Sequence, residues 1–188
     1  MTPNECLSYW LIEELVAQGI TQFCISPGSR STPLTVAAAR HPQANTQIFL
    51  DERAAAYFAL GWARATDQAA ALICTSGTAG ANYYPAIIEA SVEHLPLLAI
   101  TADRPPELQQ TGANQTVDQN RLFGSHTRWF GDERHGAAWR HPPLWRHLHV
   151  LYRLCPRFDA PWVCVCASLC ACVRMCLEPF ISATSSGN

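Results

Sequence analysis

The first 130 residues alternate between amphipathic and continuously apolar segments. Leu7, Trp10, Leu11, Glu14 and Leu15 recur at the i, i+3, i+4 spacing of a helix, and Gly19 supplies its stop. "ITQFCIS" reads as a strand, "SPGSR" as a turn, and the stretch through Arg40 as a short helix. "TQIFL" is a second strand and "DERAAAYFALGWARAT" a helix whose acidic first turn suits the helix dipole. "AAALICT" is a third strand, "SGTAGA" a Gly-rich turn, and "NYYPAIIEASVE" a helix with Pro85 in its first turn. "PLLAITA" is a fourth strand, which "DRPPE" breaks. Short apolar strands alternating with helices predict an α/β domain, a parallel sheet with helices on both faces. Because the strands are apolar without alternation, both of their faces are expected to be buried.

In such sheets ligands sit beyond the carboxyl ends of the strands. "SPGSR", "DER", "TSGTAG" and "ADRPPE" all arrive there, each bringing polar or glycine residues where a strand gives out. Each has an ordinary explanation. "TSGTAG" is neither GxGxxG nor GxxxxGK[ST] and serves as a tight strand-to-helix connection. Glu52 pairs with a helix dipole, and Arg30 and Arg104 are solvated or ion-paired. Four strand ends in agreement outweigh these separate accounts. Two arginines at one sheet edge suit carboxylates, which the guanidinium fork binds bidentately.

Composition narrows the classes. The chain has 188 residues and a formal net charge of −2, enough for one ordinary domain and no signal for nucleic acid or an acidic membrane surface. The acidic, amphipathic amino terminus lacks the layout of a signal peptide. No run reaches the roughly 18 apolar residues of a membrane span, so a cytoplasmic protein is the expectation. All 13 basic residues are arginine, which hints at a GC-rich coding sequence. Cys6, Cys24 and Cys74 sit in apolar settings as inert thiols, while the other cysteines crowd between Cys155 and Cys176.

"SPGSRSTPL", "DERAAAYFALGWA", "TSGTAGANYYPAIIEA", "TADRPPEL" and "GANQ" together resemble the amino-terminal, pyrimidine-binding domain of thiamine-diphosphate enzymes. Within that family they resemble the 2-succinyl-5-enolpyruvyl-6-hydroxy-3-cyclohexene-1-carboxylate synthases of menaquinone biosynthesis. The resemblance implies that Glu52 hydrogen-bonds the aminopyrimidine of thiamine diphosphate and drives the imino tautomer that forms the ylid. The cofactor would then do the hard chemistry. It implies that Ser29, Arg30, Arg104 and Gln115 bind substrate carboxylates and hydroxyls, and that Pro27, Thr78 and Asn82 line the pyrimidine. The implied reaction decarboxylates 2-oxoglutarate and adds the resulting unit to isochorismate. The family also implies Mg2+ or Mn2+ held with the diphosphate by a second domain, and a homo-oligomer with its site between subunits. That second domain carries a Gly-Asp-Gly segment and a downstream Asn; this chain has no Gly-Asp-Gly segment, so the chain alone is expected to be inactive.

Past Phe130 both the resemblance and the alternation stop, dividing the chain into a domain over 1–130 and a Cys/Trp/Arg-rich tail over 131–188. The tail is expected to be irregular, with an out-of-frame or unrelated origin. A genuine extension and a metal module are the alternatives, but "CVCASLCACVRMC" lacks a paired C-x2-C or a Cys/His zinc spacing. Two functional rivals stand beside the synthase. One is another thiamine-diphosphate enzyme of the decarboxylase or acetolactate synthase type, opposed by "SPGSRSTPL" and "TADRPPEL". The other is a non-enzymatic remnant that pairs with a partner subunit.

Overall fold

In the computed structural model, which describes residues 2–132 and 165–170, the chain enters through a well-capped helix. Thr2 Oγ1 accepts from the Glu5 backbone N–H at 3.3 Å while the Glu5 carboxylate accepts from the Thr2 N–H at 2.6 Å, the reciprocal capping box of α1 (Pro3–Ala17). The same helix ends as expected at Gly19, with φ +86°. The N–H groups of Gly19 and Ile20 close back on the carbonyls of Val16 and Leu15, both at 2.9 Å. Its buried stripe is Ser8, Leu11, Ile12, Leu15 and Val16; Trp10 lies off it and is 53% exposed, so the expected spacing was rotated by about one position.

β1 (Gln22–Ile25), α2 (Thr32–Arg40), β2 (Asn45–Ile48), α3 (Glu52–Thr66), β3 (Ala70–Cys74), α4 (Thr78–Ala81), α5 (Tyr84–Glu93) and β4 (Leu97–Asp103) follow. β5 (Trp129–Asp132) and β6 (Val165–Cys170) complete a sheet in the order β2-β1-β3-β4-β6-β5, with every pairing parallel. β6 comes from the segment read as an irregular tail. Its segment "VCASLC" is paired on both edges, with β4 and β5, and has no period-two alternation. Cys166 and Cys170 fall within β6, while Cys155, Cys164, Cys172 and Cys176, and with them the metal-module reading, lie outside the described residues.

Alternate residues of the central strands serve two separate cores. Phe23, Ile25, Ala71, Ile73, Leu98 and Ile100 pack under α1 and α2. Cys24, Ala70, Leu72, Cys74, Leu97 and Ala99 pack under α3 and α5. The expectation of two buried faces therefore holds for β1, β3 and β4. It fails for β2, an edge strand whose Ile48 is 59% exposed; Leu50, just beyond its end, is 92% exposed. Only one neighbour flanks β2, and neither helical layer extends fully over it.

Strand order and helix placement explain each other. From β1 the chain moves outward to β2 with α2 on one face, then back across β1 to β3 and on to β4 with α3 and α5 on the other. Crossovers of a single hand demand this exchange of faces when the direction reverses. The reversal leaves β1 and β3 adjacent, with their connections departing to opposite sides.

On one side α3 lies close to the sheet because its inner stripe is alanine: Ala55, Ala56, Ala59 and Ala63 are all fully buried. Its N-cap Asp51 accepts from the Ala54 N–H at 2.8 Å, and Asp67 closes it in the left-handed region at φ 54°. An ion pair joins Arg64 of α3 to Glu93 of α5 on the surface. Among the described residues no helix is long and apolar enough to cross a membrane. Cys24 and Cys74 are buried, Cys6 is half-buried, and burial pushes the Cys24 thiol up to about 11.

The close approach of α3 makes a prediction. Ala59→Leu adds volume where no space exists, and overpacking of this kind costs about 1–3 kcal/mol. A lowered urea midpoint with an unchanged slope is the expected outcome; an unchanged midpoint would show that α3 does not rest on the sheet at Ala59.

Candidate functional site

The crevice above the carboxyl ends of β1 and β3 is where the strand order reverses, the position favoured for ligands in open parallel sheets. The turn after β1 descends closely onto the end of β3. A Cβ at Gly28 would stand 2.3 Å from Thr75 Cβ, so no other residue fits there without displacing that strand end. The Gly28 carbonyl then accepts from Ser31 Oγ at 3.1 Å and Thr32 Oγ1 at 3.3 Å, which closes the turn into α2. Pro27 and Ser29 stay exposed, and Arg30 projects from the turn half-buried.

Arg30 reaches across to the long connection after β4, where its Nη1 donates to Gln115 Oε1 at 2.5 Å. Arg104, the first residue beyond β4, donates from Nε and Nη2 to the Asn114 carbonyl at 3.2 and 2.7 Å. Partial burial and the Arg104 charge together hold Arg30 below the usual arginine range. Three of the expected substrate residues, Arg30, Arg104 and Gln115, are thus brought into one group from three separate parts of the chain. Asn114 was not anticipated, since a backbone carbonyl leaves no mark in a sequence.

Glu52 opens α3 at the same edge, half-buried, and among the described residues its carboxylate has no hydrogen bond or ion pair. Within electrostatic reach of it lies Tyr83, one of three buried hydroxyls that sequence reasoning missed. The hydroxyls of Ser26 at the end of β1, Thr75 at the end of β3 and Tyr83 before α5 are buried without a well-formed hydrogen bond. Burial raises the Tyr83 phenol well above its usual range, and the neighbouring Cys74 and Glu52 act in the same direction. No described contact links this group directly to the arginines. The sheet edge therefore carries two stations, a carboxyl beside neutral hydroxyls and a pair of guanidinium groups.

Thr78 and Asn82 lie exposed at either end of α4. Asn82 Nδ2 donates to the Thr78 carbonyl at 3.1 Å, so that amide is turned back on its own helix. Among the described residues no group of three or more His, Cys, Asp or Glu side chains could hold a metal ion.

Residues 7–122 match the thiamine pyrophosphate enzyme family over its N-terminal TPP binding domain. The 2-succinyl-5-enolpyruvyl-6-hydroxy-3-cyclohexene-1-carboxylate synthase of Chlorobium chlorochromatii is 65% identical over 132 residues, covering 69% of this chain and 23% of that protein. The synthases of that name from Prosthecochloris aestuarii and Haloquadratum walsbyi are 60% identical over 132 residues and 62% identical over 121. They too are matched in part, with 69% and 64% of this chain covering 23% and 20% of theirs. This chain spans less than a quarter of the length of the curated relatives it matches. An α/β sheet with its polar residues gathered at the β1–β3 reversal, matched over more than half its length, identifies the chain as a member of the thiamine pyrophosphate enzymes through their N-terminal TPP-binding domain.

Proposed function

We propose that this chain is the pyrimidine-binding portion of a synthase that decarboxylates 2-oxoglutarate and adds the succinyl semialdehyde unit to isochorismate. The observation that carries this reading is the placement of paired Arg30 and Arg104 on the same sheet edge as an unspent Glu52. Both substrates are polyanions, and two guanidinium groups oriented by neutral amide oxygens keep their charge for such ligands. Against an acetolactate-type reaction stand the segments "SPGSRSTPL" and "TADRPPEL".

The residues present fit the pyrimidine half of thiamine diphosphate. Glu52 offers a carboxyl with no competing partner, and Pro27 stands exposed beside Gly28, which is seated closely on Thr75. Thr78 and Asn82 flank that crevice from the β3 side. When bound, the cofactor supplies the carbanion chemistry that a 2-oxo acid needs in order to lose carbon dioxide. The chain's own contribution is to hold a proton at the Glu52 carboxyl and share it with a ring nitrogen. Arg30, Arg104 and Ser29 anchor the substrate's acidic groups. Gln115 spends its Oε1 on Arg30, which leaves its NH2 group to meet a substrate hydroxyl or carboxylate.

Among the described residues no cluster of acidic, His or Cys side chains could hold Mg2+ or Mn2+; in this reading a second domain, contributed across a homo-oligomeric interface, holds the metal with the diphosphate. None of Cys6, Cys24 and Cys74 is in a disulfide, which accords with a reducing cytoplasmic setting.

The test is a chimera in which residues 1–130 replace the matching segment of the Chlorobium chlorochromatii synthase. The chimera is expected to form the succinyl adduct from 2-oxoglutarate and isochorismate, and an inactive but folded and cofactor-loaded chimera would overturn the reading. Glu52→Gln keeps a hydrogen bond but loses the shared proton. Turnover and exchange of the cofactor's C2 proton with deuterium should both fall by about 10²–10⁴-fold. Arg30→Ala and Arg104→Ala should instead raise KM by about tenfold or more, the worth of a charge-assisted hydrogen bond. They should leave C2 exchange intact; if either arginine variant abolishes it, the division of roles is wrong.

A further inference from the structure

The two arginines do not sit together by themselves. They repel, and both are aimed by adjacent residues of one loop, Arg104 by the Asn114 carbonyl and Arg30 by the Gln115 side chain. Whatever holds Asn114 and Gln115 in place therefore sets the geometry of the cation pair.

That loop is held at two points. Ser76 Oγ donates to the Gln115 carbonyl at 2.7 Å. Four residues on, Gln119 turns inward until it is only 1% exposed, and its amide is used on both sides. Its Oε1 accepts from the Gly77 N–H at 2.7 Å, and its Nε2 donates to Thr101 Oγ1 and to the Ala102 carbonyl, each at 3.1 Å. One side chain thus ties the loop to the turn after β3 and to the body of β4. Between the two points the backbones nearly touch. Gly77 is at φ +83°, and a Cβ there would lie 3.0 Å from Gln115 C and Cα. Gln115 is itself left-handed, at φ 55°, a conformation that a non-glycine residue keeps only where its surroundings hold it.

We propose that Gln119 is a positioning residue for the carboxylate site: through the Ser76–Gly77 clasp it fixes Asn114 and Gln115, and with them the spacing of Arg30 and Arg104. Two guanidinium groups held side by side suit a dicarboxylate, one fork for each carboxylate. The proposal rests on the carboxylate-binding reading above. Because the side chain touches neither arginine, its removal acts on order at the site and leaves the charges in place. A purely structural glutamine would affect melting alone.

The experiment uses the 188-residue chain labelled with 15N and records the Nε–H groups of Arg30 and Arg104 by NMR. In the unmodified chain the Arg104 Nε–H should be ordered, with a heteronuclear NOE near that of the backbone, and both arginines should shift when 2-oxoglutarate is added. Gln119→Ala should lower the Arg104 NOE and raise the Kd for 2-oxoglutarate by about tenfold, with acetate binding changed far less. Far-ultraviolet circular dichroism at the same temperature checks that the variant is folded. Ser76→Ala, which opens only the other end of the clasp, should shift both readouts in the same direction and covers the case in which Gln119→Ala does not fold. If the folded variants keep both the NOE and the affinity, the proposal is overturned while the carboxylate reading stands. If the unmodified chain shows no shift at either arginine with 2-oxoglutarate, the carboxylate reading fails and takes the proposal with it.

Discussion

The site depends on the strict parallel alignment of β1, β2, β3 and β4, each crossover keeping the same hand. Once Ile25 is registered with Ile48 and Ile73, and Cys74 with Thr101, all four strands must end at one edge. Pro27 to Arg30, Glu52, Ser76 to Thr78 and Arg104 then meet there although the span from the first to the last is most of the domain. The reversal between β1 and β3 opens the crevice, because the connections leaving these two neighbours turn to opposite faces. The two apolar cores, one on each face, are what hold that alignment against slippage. A strand shifted by one residue would exchange Phe23 and Ile25 for Cys24 and place each in the core shaped for the other.

At this edge the electrostatics run against stability. Bringing Arg30 beside Arg104 in a partly buried position disfavours the Arg30 charge. Neutral acceptors orient the two groups without neutralising them, as Gln115 Oε1 and the Asn114 carbonyl do here. A carboxylate partner from the protein would have been more comfortable and would have competed with the ligand. The Glu52 side shows the complementary choice. Tyr83 beside it is buried, and burial, with Cys74 and Glu52 nearby, raises its phenol well above the usual range, so that neighbour stays neutral.

Much of the fold was legible because its signals are local. Gly19 ends α1, Pro85 enters the first turn of α5, and Asp51 with Glu52 opens α3, each where side-chain chemistry and backbone conformation demand it. The errors came where a neighbour decides. Nothing within "TQIFL" says that β2 has a strand on one side only, and Trp10 leaves the buried stripe because α2 covers the other side of α1. The segment Val165–Cys170 adds a strand beside β4 that no period of two or 3.6 in the tail announces. Among the site residues, Glu52, Arg30 and Arg104 could be found because a charged residue at a strand end is unusual. Ser26, Asn114 and Gln119 could not, because a serine, a carbonyl and one glutamine in a polar loop acquire meaning only through the contacts they make.

Gln119 illustrates why such residues stay hidden. The connection after β4 has no regular ladder to fix it. Its course is irregular, with Gln110, Gln115 and Arg121 all at positive φ. A loop of this kind needs a tether to something rigid, and the rigid objects nearby are the ends of β3 and β4. Those ends offer main-chain and hydroxyl groups left over where the strands stop: the Gly77 N–H, the Thr101 hydroxyl and the Ala102 carbonyl. A buried primary amide satisfies both kinds at once, since it accepts on one side and donates on the other. A carboxylate would satisfy only the N–H and would repel the carbonyl; a hydroxyl would be too short to span all three. The unsatisfied ends of the sheet thus select the residue type that orders the loop, and the loop in turn aims the arginines.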